Sequence, residues 1–227
     1  KAALATKRYA PSTPLGEHVK KNGFIVDELK SEDVTVYLLV PASQLATALP
    51  WMNTLIGVFG IAIGRPSEQR PVTLLIDEAP SLGYLPDLIP FMGQFRKAGL
   101  RAWIFTQTQS QLAAPDLYGQ EGFKAINGLC SVKQFFAIGE PEVRQMVSDL
   151  CGQNTVSNIS ANTGGASISD VGVPLIRPEE VRGLKTWQQV IVIDGMTNPI
   201  KGWLMPYFKR KSWNAMADPN PYRQKND

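Results

Sequence analysis

Two adjacent carboxylates, Asp77 and Glu78, directly follow the apolar run Val72–Ile76. An apolar run of this length, bounded by Pro71 and Pro80, predicts a strand buried on both faces, as in a parallel sheet. Open α/β sheets bind ligands at the carboxyl ends of their strands. The pair has the form of a Walker B element, in which an Asp holds Mg²⁺ through water and a Glu orients or deprotonates the attacking water. Buried strands also end in charged residues merely because the chain leaves the core, so the pair alone leaves both interpretations open.

A second polar group follows the next predicted strand. The strand Ala102–Thr106 leads into Gln107 and the polar run that ends at Leu112. An amide at the carboxyl end of a neighbouring strand has the place and chemistry to sense a γ-phosphate or to orient water. The pattern by itself favours a plainer interpretation, a solvated turn at the start of a helix.

No phosphate-binding loop of the form G-x-x-x-x-G-K-[ST] accompanies these residues. The nearest approach is Arg182-Gly183-Leu184-Lys185-Thr186, in which Leu184 stands where the pattern requires glycine. A leucine there prevents the close backbone approach that a phosphate cradle needs. The sequence therefore contains a Walker B candidate without a Walker A element.

Alternating helices and strands surround the candidate residues. Further strands are predicted over 34–40, 132–138 and 189–193, with 200–205 pairing beside the last, and helices over 86–98, 109–118, 121–129, 141–150 and 178–181. Strongly apolar strands joined by crossovers of helical length predict a mostly parallel α/β sheet with helices on both faces. We expect an N-terminal arm or linker over 1–30, one domain over 31–208 with a flexible loop at 152–172, and a basic polar tail over 209–227.

The composition excludes several kinds of site. The chain has 227 residues, 44% of them hydrophobic, and a net charge of +3, which is ordinary for a globular protein and does not by itself indicate a nucleic-acid partner. Its two cysteines and single histidine argue against a disulfide framework, a zinc site or a histidine-based triad. No signal peptide is visible. The apolar stretch 42–63 contains polar residues and Pro50, so we interpret it as a buried helix, broken or kinked near that proline.

Several blocks then resemble one protein family, the type IV secretion coupling proteins of the VirD4, TraG and TraD kind. The block Asp77-Glu78-Ala79-Pro80-Ser81-Leu82-Gly83 is similar to the family's Asp-Glu-(Phe/Ala)-x-Ser-Leu-Gly signature. The other similar blocks follow in the family's order and extend the resemblance over about residues 30 to 208: Val34–Leu45, Arg96–Leu100, Gln107–Leu112, Pro178–Val181 and Gln189–Val192.

The resemblance implies a RecA-like P-loop NTPase domain that forms a hexameric ring at the cytoplasmic face of the bacterial inner membrane. It implies an ATPase that recruits or pumps relaxase-bound single-stranded DNA, or effector proteins, to other components of the secretion system. Asp77 would coordinate Mg²⁺ through water, Glu78 would activate water, and Gln107 would be a sensor between nucleotide and substrate. Arg96 would reach a neighbouring subunit's γ-phosphate as an arginine finger, although its position alone suggests an exposed helix-end cation.

The family carries its P-loop, its membrane anchor and most of an all-α domain upstream of the matching region, and this chain shows none of them. We therefore expect this chain alone to bind ATP weakly or not at all, and to be inactive. Two alternatives remain open. One is a non-catalytic docking module that binds a relaxase or effector through loops such as 152–172. The other is a DNA-pumping ATPase of the FtsK or HerA type, which the Ser81-Leu82-Gly83 and Ser110-Gln111-Leu112 blocks disfavour.

Overall fold

The computed structural model describes residues 25–65, 70–162 and 165–218. Backbone contacts divide the chain into two compact units, Lys1–Leu129 and Cys130–Asp227. The boundary falls inside the domain predicted over 31–208. Most of the predicted arm and the end of the predicted tail lie outside the described residues, so the bounds of those segments stay predictions.

The first unit is built around two parallel strands, β1 and β2. Its elements are α1 (Glu28–Ser31), α2 (Leu45–Gly64), β1 (Val72–Ile76), α3 (Leu88–Gln94), β2 (Leu100–Ile104), α4 (Gln109–Leu112) and α5 (Gly119–Leu129). Val72 pairs with Leu100 and Ile76 pairs with Ile104, so both strands end at the same edge. This pairing matches the parallel arrangement predicted for the strand that precedes the two carboxylates.

The two faces of the β1–β2 pair differ in burial. Ile76 and Leu100 are buried on one face. On the other face, Leu75 and Trp103 pair in register and are 57% and 58% exposed. The prediction that β1 is buried on both faces is therefore wrong for this second face. A continuous apolar run cannot by itself tell a strand covered on both sides from one covered on a single side.

Helix α2 packs through two glycines four residues apart. A Cβ at Gly60 would lie 2.1 Å from the ring of Phe91, and one at Gly64 would lie 2.8 Å from the ring of Phe95. The two rings are themselves stacked, with centroids 5.1 Å apart. The bare backbone of α2 thus lets two aromatic side chains from the end of α3 lie directly against it.

Pro50 lies inside α2, and the helix runs without interruption from Leu45 to Gly64. Of the predicted break or kink, the break is therefore wrong, and the kink stays a prediction. Pro50 lacks only the donor to the carbonyl of Ala46, in the first turn of the helix, so the loss is confined to that end. By length and composition alone α2 is long and apolar enough to cross a membrane, and 33% of its most apolar window is buried.

A buried lysine holds α1 to the end of α2. Lys30 is only 4% exposed, and its ammonium donates to the carbonyl oxygens of Ile63 and Arg65, each at 3.1 Å. A cation at this place satisfies helix-end carbonyls and complements the helix dipole.

The segment 34–40, predicted as a strand, forms no strand in the structure. Its side chains nevertheless alternate in burial. Val36 and Leu38 are half-buried, whereas Tyr37 and Leu39 are exposed. This alternation is the period of an extended chain with one side against the protein. Sequence preference for β structure produces a strand only where a hydrogen-bonding neighbour lies alongside, and the described residues provide none for this segment.

The second unit combines a three-stranded sheet with a long hairpin. Its elements are β3 (Val132–Phe135), α6 (Pro141–Cys151), β4 (Gln153–Asn162), β5 (Gly165–Pro174), α7 (Pro178–Arg182), β6 (Gln188–Ile193), β7 (Ile200–Trp203) and α8 (Lys211–Asn214). Its core comprises Phe135, Val143, Val147, Cys151, Ile176, Val181 and Val190. The Ser148 hydroxyl, buried beside this core, donates to the carbonyl of Ile176 at 2.7 Å.

The strands of this unit pair in the order β3-β6-β7, and both pairings are antiparallel. The predicted pairing of 200–205 beside the strand before it is confirmed. The expectation of a mostly parallel sheet holds for β1 and β2 but not here. The link from Ile193 to Ile200 is too short for the crossover that a parallel pair requires, so it can only form a hairpin.

The flexible loop predicted over 152–172 is instead a β-hairpin. Gln153 pairs with Pro174, and the antiparallel register continues to Asn162 and Gly165. Ser157 donates to the carboxylate of Asp170 across the strands at 2.7 Å. The composition suggested a loop because the segment is polar and rich in Gly, Ser and Asn. Paired backbones and cross-strand side chains stabilise such a hairpin without the apolar alternation that identifies a half-buried strand.

Candidate functional site

Two backbone hydrogen bonds join the chain immediately beyond β1 to the chain immediately beyond β2. The Phe105 amide donates to the Ile76 carbonyl at 2.9 Å, and the Ala79 amide donates to the Phe105 carbonyl at 2.9 Å. Asp77 and Glu78 are the two residues between these anchor points on one strand, and Gln107 lies two residues beyond the anchor on the other. The structure therefore brings all three predicted residues to one edge of the parallel pair.

Glu78 has a left-handed backbone, with φ 55° and ψ 61°. This conformation is costly for a residue with a side chain, and it concentrates at functional sites where the surrounding structure enforces it. The turn that follows holds Glu78 in this left-handed conformation. A 3₁₀ turn occupies Ala79–Leu82, and Gly83 beyond it also has a positive φ of 67°. The block from Asp77 to Gly83 is thus a sharp turn that leaves Asp77 exposed and Glu78 half-buried.

A hydroxyl beside Gln107 has no hydrogen-bond partner. Thr108 lies at the N-terminal cap of α4, but its hydroxyl makes no capping bond and is buried without any partner. The Thr106 hydroxyl donates to the Thr108 carbonyl at 2.5 Å, which shapes the backbone of this turn. Sequence reasoning missed Thr108, whose only signal was its place directly after the candidate amide. A buried polar atom without a partner calls for an explanation, and a bound ligand or water is one.

Arg96 lies away from the other candidates. It is exposed in the turn between α3 and β2, and its carbonyl accepts from the Gly99 amide at 3.1 Å. Gly99, with a φ of 92°, ends that turn just before β2 begins. Arg96 therefore lies at the amino end of the parallel pair, opposite Asp77, Glu78 and Gln107. The five residues of β2 separate the two edges by roughly 15 Å. Within one chain, the guanidinium is not part of the same cluster.

The available ligands suit a metal held mainly by water and substrate. Among the described residues no cluster of three or more acidic, histidine or cysteine side chains is placed to hold a metal ion. Mg²⁺ keeps several waters and commonly uses one or two carboxylates together with substrate phosphates. Asp77, exposed at the end of β1, fits a water-mediated Mg²⁺ site of that kind.

The segment closest to a phosphate-binding loop has a different role. Gly183 follows the end of α7, and Leu184 packs against the apolar core of the second unit. Leu184 is half-buried, and the amides of Gly183 and Leu184 donate to the carbonyls of Glu179 and Val181, so they are not free to cradle a phosphate. The segment 182–186 therefore does not form a phosphate-binding loop.

Comparison with known proteins then identifies the family. The family model for the type IV secretory system conjugative DNA transfer proteins matches residues 14–226. The coupling protein VirD4 of Bartonella henselae is 25% identical over 88% of this chain, which corresponds to 33% of VirD4. The conjugal transfer protein TraG of Agrobacterium fabrum is 25% identical over 91% of the chain and 32% of TraG. The chain thus spans about a third of the length of the curated relatives it matches.

Solved structures agree on the fold. The unbound conjugative coupling protein TrwB covers 89% of this chain with a TM-score of 0.69 and 22% identity, and the match takes in 49% of that TrwB chain. TrwB in complex with ADP and Mg²⁺ matches with a TM-score of 0.65 and 21% identity. These similarities confirm the predicted RecA-like α/β fold class. Because the family model matches nearly the whole sequence, this chain belongs to the type IV secretion conjugative DNA transfer family, that of the VirD4 and TraG coupling proteins.

Proposed function

We propose that the chain forms the C-terminal part of the motor domain of a coupling ATPase. The complete motor recruits and pumps relaxase-bound single-stranded DNA, or effector proteins, to the secretion channel. The observation that carries this proposal is the backbone connection between the ends of β1 and β2, which places Asp77, Glu78 and Gln107 at one edge. Parallel strands end at such an edge in nucleotide-binding α/β proteins, and loops there hold the reacting groups.

Each residue at this edge has a proposed role. Asp77 would hold Mg²⁺ through water, Glu78 would orient or deprotonate the attacking water, and Gln107 would sense the terminal phosphate. Glu78 has a left-handed backbone inside a tight turn. This turn restricts the direction of the Glu78 side chain, which a flexible loop would not do. Thr108 adds a hydroxyl whose missing partner would be a phosphate oxygen or an ordered water.

The cofactors of this proposal are ATP and Mg²⁺. Bound Mg²⁺ would neutralise charge on the phosphates and help to align them for displacement. One solved structure of TrwB is in complex with ADP and Mg²⁺, and another is in complex with a non-hydrolysable ATP analogue. Both support nucleotide binding on this fold. This chain supplies the acidic and amide side of the site. The phosphate cradle must come from another segment, so we expect the chain alone to bind ATP weakly or not at all and to be inactive.

The position of Arg96 supports assembly into a ring. A guanidinium at the amino end of the strands is too far from the acids of its own chain to act with them, which is consistent with a role across a subunit boundary. We propose a hexamer at the cytoplasmic face of the bacterial inner membrane, anchored through a segment upstream of the matching region. In that ring Arg96 acts as an arginine finger on the neighbouring nucleotide. Its partners are the relaxase or effector, single-stranded DNA and other secretion components.

The experiment measures ATP turnover by a longer protein in which this chain follows a segment that carries a P-loop. Glu78→Gln keeps the size of the side chain and removes its basicity. We expect turnover to fall by about 10²–10⁴-fold, the usual contribution of a positioned acid or base. Glu142→Gln, an exposed glutamate on α6, is the matched control and leaves turnover unchanged. Unchanged turnover in Glu78→Gln would reject the assigned role.

A non-catalytic docking module is the second candidate, and the hairpin β4–β5 favours it. Its arms are ten residues each, and they pair only with one another among the described strands. Both outer edges therefore retain backbone donors and acceptors for a partner strand. Under this alternative, a relaxase or effector is pulled down by the chain without nucleotide. Failure to capture either under all nucleotide conditions would count against it.

A further inference from the structure

Aromatic rings and cations form a defined surface near the C-terminal end of the second unit. We call it the aromatic–basic surface, and it comprises Trp187, Tyr207, Phe208, Lys209, Arg210 and Trp213. Tyr207 and Phe208 are 55% and 53% exposed. Large exposed aromatic side chains that lie together indicate a binding surface more often than chance.

Hydrogen bonds hold this surface in a fixed arrangement. The Leu204 amide donates to the Trp187 carbonyl at 2.6 Å, which fastens the end of β7 to the start of β6. Pro206 is buried, and the 3₁₀ turn Tyr207–Lys209 and helix α8 follow it directly. The rings are therefore presented by a folded segment, and a ligand would not have to order them first.

The rings contact one another in series. The centroids of Trp187 and Phe208 are 6.1 Å apart, and those of Tyr207 and Phe208 are 5.6 Å apart, with the rings nearly perpendicular in both pairs. The Arg210 guanidinium lies 4.4 Å from the centroid of the Trp213 ring. Edge-to-face contacts leave ring faces available for further stacking.

The charge around these rings favours a polyanion. From Lys185 to Met216 the chain carries five basic residues and one acidic residue, Asp194. That acid is paired with the ammonium of Lys133 at 3.3 Å. Lys209 and Arg210 are both exposed. Cations beside stacking rings are the combination that binds single-stranded nucleic acid, in which every base offers a π-face and every linkage a negative charge.

Two other ligands fit less well. An interfacial membrane segment needs an amphipathic helix with a continuous apolar face, whereas α8 has only four residues and lies next to an irregular turn. A double-stranded nucleic acid keeps its base faces stacked inside the duplex, out of reach of the rings. The positive charge and the exposed ring faces together favour single-stranded nucleic acid as the ligand.

We propose that the aromatic–basic surface binds single-stranded nucleic acid. The rings of Tyr207, Phe208 and Trp187 stack on bases, and Lys209 and Arg210 contact phosphates. The site shares no residue with the nucleotide edge of the first unit. It deepens the proposed function in DNA transfer, and it rests on that function only for its biological purpose, because binding here needs neither ATP nor a P-loop.

The test measures binding of a fluorescein-labelled oligothymidylate of about 16 nucleotides to the full chain by fluorescence anisotropy, without nucleotide and over a range of salt. Phe208→Ala is expected to weaken binding by at least about fivefold, since one stacked base is lost. The double variant Lys209→Glu/Arg210→Glu is expected to reduce the slope of log affinity against log salt by about 1.4, the value for two phosphate contacts to a single strand.

Matched controls come from exposed residues elsewhere. Tyr37→Ala removes an aromatic ring from the first unit, and Arg182→Glu reverses a charge on α7. Neither should change affinity. Circular dichroism of each variant establishes that it is folded, and quenching of tryptophan fluorescence by the oligonucleotide supplies an independent readout of binding.

Three results would overturn the proposal. The first is no binding by the wild-type chain at low salt, and the second is equal affinity in Phe208→Ala and the wild type. The third is binding of anionic lipid vesicles that the same variants abolish while oligonucleotide binding persists, which would assign the surface to a membrane. None of these results bears on turnover by Glu78→Gln, so failure here and failure of the ATPase proposal remain distinguishable.

Discussion

At the scale of single residues, the central feature is the conformation of Glu78. Its φ of 55° lies in the region that glycine adopts freely and other residues avoid. A glycine at this position would relax the backbone but would lack the carboxylate. The chain keeps the costly residue, and that choice is expected where the side chain has a chemical role.

This reasoning predicts a trade of activity for stability. Glu78→Gly should raise the free energy of unfolding by about 0.5–1 kcal/mol, because it relieves left-handed strain, while it abolishes ATP turnover in the longer protein. Urea denaturation followed by circular dichroism measures the first effect. Ala137 also has a left-handed backbone, with a φ of 52°, so Ala137→Gly is the matched control. It should stabilise similarly and leave turnover intact. A destabilised Glu78→Gly would contradict the strain argument.

Residue types predicted which side chains lie at the edge of the parallel pair better than they predicted the surroundings of those side chains. Asp77, Glu78 and Gln107 were singled out from the sequence because carboxylates and amides directly after apolar strands are conspicuous, and the structure brings them to one edge. The unpartnered hydroxyl of Thr108 was not, since a threonine at the start of a helix is ordinary and its burial depends on tertiary packing. The opposite placement of Arg96 became clear only once β1 and β2 were known to be parallel.

At the scale of elements, local pattern succeeded where an element interacts mainly with itself. Helix α6, which has Pro141 at its start, was predicted nearly to the residue. The predictions for the segment 34–40 and for the hairpin β4–β5 were wrong for opposite reasons. The segment 34–40 has a strong preference for strand but no pairing strand among the described residues. The hairpin has a weak preference for strand, but each of its arms pairs along its full length with the other. Strand formation depends on the partner, which a sequence window does not contain.

The contact between α2 and α3 offers a test at this scale. Gly60→Ala would place a methyl group 2.1 Å from the Phe91 ring, so something must shift. We expect a loss of about 1–2 kcal/mol in the free energy of unfolding, because overpacking exceeds the gain in helix propensity. Gly128→Ala, on α5 with no atom near the added methyl group, is the control and should be neutral or stabilising. Urea denaturation of both variants decides the matter, and an unchanged midpoint for Gly60→Ala would show that the packing is looser than described.

At the scale of the whole molecule, the proposal requires more than one chain. The acids and Arg96 lie at opposite ends of the same two strands, so the proposed role of Arg96 as an arginine finger requires a second copy. A ring in which each subunit completes its neighbour's site resolves this geometry. The same reasoning explains why the sequence predicted site chemistry more readily than assembly, since no residue pattern states which surfaces meet.

The ring predicts complementation between two inactive variants. In the longer protein Arg96→Ala should lower turnover by about 10³-fold or more, as removal of an arginine finger does. Mixed with Glu78→Gln subunits, it should recover part of the activity, because some interfaces then combine an intact Glu78 with an intact Arg96. ATP turnover of the mixture measures this. No recovery, under conditions where wild-type and variant subunits exchange, would contradict an arginine acting across the interface.

The most direct test of the account is a crystal structure of the longer protein with ADP and Mg²⁺. We predict that an Asp77 carboxylate oxygen accepts a hydrogen bond from a water on the metal, with metal–oxygen distances of about 2.1 Å. Glu78 and Gln107 should face the position of the terminal phosphate. A nucleotide bound elsewhere, or these three side chains directed away from it, would contradict the central claim.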